Sequence, residues 1–219
     1  MTTLAGNTTE DVPAKTLIAE DGPPVVLASA SAARAALLAA AGLAVHRQPA
    51  AIDEESLKAS LKSEGATPAQ VAETLAELKA QRVSVKHEGA LVIGADQMLS
   101  CNDVWFDKPA DRDHAAAQLH ALSGKTHTLW TSVCVVRNGS RMWHHNAAAR
   151  LTMRKLSDAF IDSYLAAAGA AVTTSVGAYQ VEGLGAQLFA EIDGDFFTIL
   201  GLPLLPLLDF LRQNKVLAA

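Results

Sequence analysis

The sequence predicts an α/β fold with a mixed central sheet flanked by helices, and three observations carry the prediction. Short buried apolar runs alternate with helical stripes along the chain. A long strand-like run, Thr126 to Arg137, meets Asn138-Gly139, a turn that demands an antiparallel partner next to it. Finally, 219 residues that are 50% hydrophobic and 19% charged suffice for a core that folds without staples.

Residues 1–22 are rich in Thr, Gly and acids without periodicity, and read as a flexible extension ahead of a single domain at 23–219. Order is expected to begin at Pro23-Pro24, with Val25-Val26-Leu27 as a short buried strand. Ala28-Ser29-Ala30 leads into an Ala/Leu helix from about Ser31 to Ala41, closed by Gly42 as a left-handed cap. A second strand near Leu43 to Arg47 precedes an acidic loop, Ile52-Asp53-Glu54-Glu55. Thr67-Pro68-Ala69-Gln70 is a helix start, with Thr at the cap, Pro next and Gln placed to reach back. Val71, Leu75 and Leu78 continue it as a stripe extended by Val85. Ala90 to Ile93 reads as a buried strand with Gly94-Ala95-Asp96 at its end. Asp111 to Leu122 is helical and stops at Ser123-Gly124. The hairpin partner of Thr126–Arg137 runs from Arg141 to Met153. Helices over Asp158–Ala168 and Leu204–Leu211 complete the chain, and Glu191-Ile192-Asp193-Gly194-Asp195 reads as a turn with solvated charges.

Several function classes are disfavoured at once. Eighteen basic against 23 acidic residues, a net charge of -5, argue against a broad nucleic-acid footprint. No apolar run is long enough to span a bilayer, and the first residues lack an export signal. Cys101 and Cys134 form neither a metal-type pair nor a disulfide framework, which suits a reducing cytoplasm. His144-His145 point to opposite faces of a strand, and no Gly-x-Ser-x-Gly elbow supports a hydrolase triad. Trp105, Trp130 and Trp143 read as core or rim residues.

Four segments carry candidate chemistry, each with an ordinary structural explanation beside it. In Leu27-Ala28-Ser29-Ala30-Ser31-Ala32-Ala33-Arg34, free backbone N–H groups, two hydroxyls and a guanidinium suit phosphate oxygens, or make a capped helix with a surface arginine. Glu54, with Asp53 beside it, and Asp96 could hold a hard cation through oxygen, or simply cap helix and turn. Lys79 lies one helical turn after Leu75, at the rim of the stripe, and Lys108 precedes Pro109; both could neutralise phosphate or be solvated. In Tyr179-Gln180-Val181-Glu182-Gly183-Leu184-Gly185 the glycines permit close approach of a ligand, and the carboxylate could accept hydrogen bonds from a base edge.

The order of these segments is more specific than any one of them. Ala28-Ser29-Ala30-Ser31-x-x-Arg34 with Leu37-Leu38, Asp53-Glu54, and Leu75-Ala76-x-x-Lys79-Ala80 resemble the Maf family of nucleotide pyrophosphatases. So do Ile93-Gly94-Ala95-Asp96-Gln97, Lys108-Pro109, Leu122-Ser123-Gly124, Glu182-Gly183-x-Gly185 and Gly201-Leu202-Pro203-Leu204. The resemblance implies an elongated two-lobed fold with a nucleotide cleft between the lobes, and a cytoplasmic homodimer. It implies hydrolysis of a nucleoside triphosphate to monophosphate and pyrophosphate with a divalent cation, Mg²⁺ or Mn²⁺. Carried over by position, Asp96 is the general base and Glu54 assists as metal ligand or second carboxylate. Ser29, Arg34, Lys79 and Lys108 hold the triphosphate, with Gln97 and Glu182 on the substrate as well.

The chain also departs from the family pattern. Ala32-Ala33 before Arg34 and Ala35 after it stand where Pro and a second basic residue are common, and Asp107 stands where Gly usually precedes Lys-Pro. The loss of one guanidinium should weaken triphosphate binding or shift the work to Lys79 and Lys108. These departures keep open a second class, a non-catalytic nucleotide-binding regulator of septum formation. Glu182 and Asp96-Gln97 resemble the subgroup acting on 7-methylguanosine triphosphate, because Gln near 182 and Arg near 33 accompany a thymidine or uridine preference. A carboxylate accepts from N1–H and N2–H₂ of guanine at once, and favours the positive charge of an N7-methylated base.

Overall fold

The computed structural model describes residues 17–19 and 22–218, so most of the expected extension at 1–22 lies outside the described residues. Its elements alternate from the start. β1 (Val25–Leu27) leads to α1 (Ala32–Ala40), β2 (His46–Arg47), α2 (Glu54–Ser63), α3 (Pro68–Ser84), β3 (Leu91–Cys101) and β4 (Val104–Phe106). α4 (Arg112–Leu122), β5 (Thr126–Arg137), β6 (Ser140–Met153) and α5 (Asp158–Ala168) follow, then β7 (Phe189–Asp193), α6 (Phe196–Ile199) and α7 (Leu204–Gln213). They build a seven-stranded sheet in the order β2-β1-β3-β5-β6-β7, with β4 also on β3. β1 is parallel to β2 and β3, and every other pairing is antiparallel, so the sheet is mixed as expected.

Local chemistry explains where the elements begin. The Ser31, Asp53, Asp111 and Ser157 side chains each accept the N–H three residues on, at the starts of α1, α2, α4 and α5. Thr67 and Gln70 make the reciprocal capping box, with Pro68 opening α3. At the β5–β6 turn Asn138 and Gly139 both have positive φ, as a two-residue hairpin needs.

The sheet is covered on both faces. Leu27, Leu91, Ile93 and Ala95 pack with α1 and α7 on one side, while Val26, Val92, Cys134 and Val136 meet Ala76, Ala80 and Val83 of α3 on the other. Farther along β3, Leu99 and Cys101 join a separate cluster with α4, α5 and Tyr179. The Ile18 backbone bridges Leu217, so Leu17–Ala19 lie against the chain's last described residues, ahead of the order expected from Pro23. No helix among the described residues is long and apolar enough to cross a membrane.

Four expectations need correcting. Ile52–Glu55 is not a loop throughout: Asp53 caps α2, and Glu54 and Glu55 form its first turn, where carboxylates favour the helix dipole. Val71 and Leu75 are buried as expected, but Leu78 is half-buried and Val85 is 75% exposed; the buried face of α3 continues through Ala76, Lys79 and Val83. Glu191–Asp193 belongs to edge strand β7, paired with β6, though its side chains are solvated. Asp96 sits in the middle of β3, not past its end, because β5 pairs with β3 as far as Ser100↔Thr128. Short-range polarity suggested a break at Gly94; long-range pairing carries the strand through it.

Candidate active site

The candidate site lies where β1 stops and β3 runs on. β1 accompanies β3 only to Leu27↔Ile93, and β4 joins the same strand at Leu99↔Phe106. From Gly94 to Met98, β3 therefore has β5 on one edge and no strand on the other. The first turn of α1 reaches that window through Arg34. Arg34 donates from Nη1 to the Ala95 carbonyl at 2.8 Å and to Ser29 Oγ at 3.2 Å, and from Nε to the Gly201 carbonyl at 2.7 Å. Arg47 in turn donates to the Ala30 carbonyl at 3.0 Å. Arg34 thus ties β1's exit to β3 and to the chain ahead of α7, and its Nη2 makes no hydrogen bond among the described residues. Burial lowers its pKa from the ordinary arginine value, opposed by Asp96 and Glu54, yet a guanidinium stays charged.

On one face of the window stand the carboxylates. Strand alternation sends Val92, Gly94 and Asp96 toward α3. Gly94 permits the approach: a Cβ there would collide with the Ala76 carbonyl oxygen and crowd Ala80 N at 2.8 Å. That contact puts Lys79 over Asp96, with Nζ 2.5 Å from Asp96 Oδ1 and 2.8 Å from Glu54 Oε1. Lys79 and Asp96 are buried, whereas the Glu54 side chain is 41% exposed. Asp96 Oδ2 is buried and has no hydrogen-bond partner. A buried carboxylate oxygen left open is costly unless another group completes it. Beside this trio, Lys58, one turn after Glu54 on α2, pairs with Asp107 at 2.6 Å. Burial pulls the Lys58 ammonium down, and Asp107, with Asp96 and Glu54, more than reverses this, so its pKa is raised.

The opposite face opens on a cleft of about 460 Å³, lined by Ser31, Arg34, Gln97, Lys108, Tyr179 and Glu182 among others. Gln97 Nε2 donates to Thr131 Oγ1 and to the Thr198 and Ile199 carbonyls at 2.8, 3.1 and 3.2 Å, leaving Oε1 as its free polar atom. Glu182 is exposed at the end of a clamped loop. In that loop Gly177 and Ala178 both have positive φ, strained for Ala178. Tyr164 Oη donates to the Ala178 carbonyl, Ser175 Oγ to the Tyr179 carbonyl, and Gly177 N–H to Gln118 Oε1. Below them His127 Nε2 lies 2.7 Å from Tyr179 Oη, and burial pushes the His127 pKa down to about 4. Gly185 answers to packing, since a Cβ there would meet the Gln180 backbone.

The structure thus separates the expected site residues into sets. Glu54, Lys79 and Asp96 form one cluster; Arg34, Gln97, Lys108 and Glu182 line the cleft; Ser29 is buried at the junction. Asp96 and Gln97, adjacent in sequence, serve opposite faces because the strand period is two. Lys58, Gln118 and His127 lay outside the sequence reading. Only Lys58 carried a local signal, its spacing of one helical turn from Glu54. A wider groove of about 650 Å³ along α2 and α3 is rimmed by Glu64, Glu73 and Glu77, away from Asp96, and its charge suits no polyanion.

Known proteins resemble this chain over most of its length. A protein of Paramagnetospirillum magneticum named nucleoside triphosphate pyrophosphatase is 64% identical over 189 residues, 86% of this chain and 97% of its own. A Rhodospirillum rubrum protein of the same name is 52% identical, covering 89% of this chain and 96% of its own. One from Rhizobium meliloti named 7-methyl-GTP pyrophosphatase is 51% identical, over 87% and 96% respectively. The family of Maf-like proteins matches residues 24–214, from the start of the sheet to the end of the last helix, and the chain belongs to it.

Proposed function

We propose that this chain hydrolyses a nucleoside triphosphate to the monophosphate and pyrophosphate, with Asp96 as general base. The observation that carries the proposal is the Asp96 carboxylate, held through Oδ1 by Lys79 while the buried Oδ2 has no hydrogen-bond partner. Lys79 orients Asp96 and tethers Glu54 at the same time, so two carboxylates share one buried cation. Asp96 Oδ2 would take a proton from water, whose oxygen attacks the α-phosphorus. The bond from that phosphorus to the α–β bridging oxygen then breaks, and pyrophosphate leaves. Ser29, Lys108 and the free Nη2 of Arg34 would hold the phosphate oxygens, offsetting the charge that develops on them.

A divalent cation fits the donors present. Asp96 Oδ2 and Glu54 are hard oxygen ligands, and no cluster of three or more His, Cys, Asp or Glu able to hold a metal exists among the described residues. Two carboxylates suit Mg²⁺ or Mn²⁺ when phosphates and water complete the shell. Such an ion, when bound, supplies charge neutralisation at the phosphates and acidifies water.

Relatives bear both the general name and 7-methyl-GTP pyrophosphatase, and Glu182 with Gln97 at one cleft supports a base carrying donors and positive charge. Turnover of 7-methylguanosine, uridine and thymidine triphosphates with Mg²⁺ or Mn²⁺, in water labelled with heavy oxygen, tests both points. The expected label is in the monophosphate, and the expected preference for methylated guanine falls in Glu182→Gln. Label in pyrophosphate defeats the chemistry; tight binding without turnover returns the regulator reading; a thymidine preference in the unaltered chain defeats the base assignment.

A further inference from the structure

One cation beside the reaction centre has no part in that mechanism. Lys58 follows Glu54 by one turn of α2, so both side chains leave the helix on the face that looks toward Asp96. Its ammonium is sheltered, with the side chain 18% exposed, but its partner Asp107 is 69% exposed. The pair is therefore asymmetric: a guarded cation is held by a carboxylate that water also reaches. An ion pair with one arm in solvent contributes little stability, and phosphate oxygens compete with it readily. The carboxylate is itself well placed. Gln118 Nε2 donates to the Asp107 carbonyl at 2.8 Å, fixing the loop that presents Lys108 to the cleft. Asp107 also stands where the family resemblance places glycine, so an anion stands next to Lys108 with Lys58 paired to it.

We propose that Lys58 is a further triphosphate-binding residue, which Asp107 holds aimed across the site until the phosphate chain of the substrate displaces that carboxylate. Asp107 is then a positioning residue and a competitor at once. It keeps the flexible lysine stem ordered, and it gives up the ammonium when an anion of higher charge arrives. Binding exchanges one charged hydrogen bond for another while Asp107 returns to water, where it is already largely solvated.

The proposal rests on the triphosphate reading of the site, and it makes a prediction of sign. A structural strap between α2 and the Lys108 loop fails equally whichever partner is removed. A ligand with its competitor fails in opposite directions. For Lys58→Gln we expect KM to rise about fivefold or more, the scale of one charged hydrogen bond, with kcat within about twofold. For Asp107→Asn we expect KM to fall about twofold, and the double variant to follow Lys58→Gln. Lys58→Arg, which keeps the charge, should hold KM near the unaltered value and guards against misfolding of the glutamine variant. Calorimetric titration with inorganic tripolyphosphate and Mg²⁺ reads the same signs in Kd without any turnover. An unaltered chain that binds tripolyphosphate with these opposed shifts but hydrolyses nothing defeats the hydrolase reading and leaves this inference standing. Kd rising in both single variants, or unchanged in Lys58→Gln, overturns it.

Discussion

Lys79 shows how much one side chain can decide, because it pairs with two carboxylates, while one oxygen of Asp96 has no partner. With Asp96 proposed as the general base, Asp96→Asn should cut turnover by about two orders of magnitude or more with the fold retained. Steady-state rates beside a thermal melt check it; an active, folded Asn variant removes Asp96 from the role. His127 makes a second prediction, about acid. Its pKa is pushed down by burial from 6.5 to about 4. Well above pH 6.5 it is neutral both folded and unfolded, so it adds no pH dependence there. As pH falls from 6.5 toward 4 the unfolded chain takes up a proton that the folded one refuses, and about 3 kcal/mol of stability is lost progressively. His127→Gln, able to keep a hydrogen bond to Tyr179, should flatten that limb of a denaturation series run from pH 7 to about 4. An unchanged limb would mean that His127 titrates normally.

Among the elements, the β3–α3 contact matters most to the site. Gly94 lets the α3 backbone rest on the strand, so Gly94→Ala should push α3 outward and cost about 1–3 kcal/mol. Turnover should fall along with stability, since the shift separates Lys79 from Asp96; urea midpoints and rates measured on the same samples test the link. This contact also marks where sequence reasoning stopped. β1, β5, α5 and the Thr67–Gln70 cap were legible because each rests on neighbours in the chain: a short apolar run, a turn dipeptide, a side chain reaching three residues on. The continuation of β3 past Gly94 was hidden, because its pairing with β5 depends on residues such as Ser132 and Thr128 far along the sequence. β7 was hidden for a related reason: Glu191 and Asp193 are solvated on an edge, so polarity there resembles a turn. At the site, Asp96, Lys79 and Glu54 could be named from their order, but the single ammonium joining them could not. Lys58 with Asp107, and Gln118 with Gly177, are contacts between distant segments that no local pattern records.

At the scale of the whole molecule, the sheet divides the work. One face gathers Glu54, Lys79 and Asp96, and the other opens the cleft with Gln97 and Glu182. The window between the end of β1 and the start of β4 lies on the strand that carries both Asp96 and Gln97, with Ser29 and Arg34 near its margin. Consecutive residues, Asp96 and Gln97, therefore face different sides of the sheet. The window has a consequence for deuterium uptake as well. A strand flanked on both edges ordinarily exchanges its amide hydrogens slowest in a domain. β3 lies in the middle of the strand order yet is bare on one edge from Gly94 to Met98. Peptides covering this stretch should exchange faster than those covering Leu91–Ile93 in the free protein, and slow when a nucleotide fills the opening. The centre of the sheet, normally the part of a fold that reports nothing but global unfolding, becomes here a gauge of occupancy.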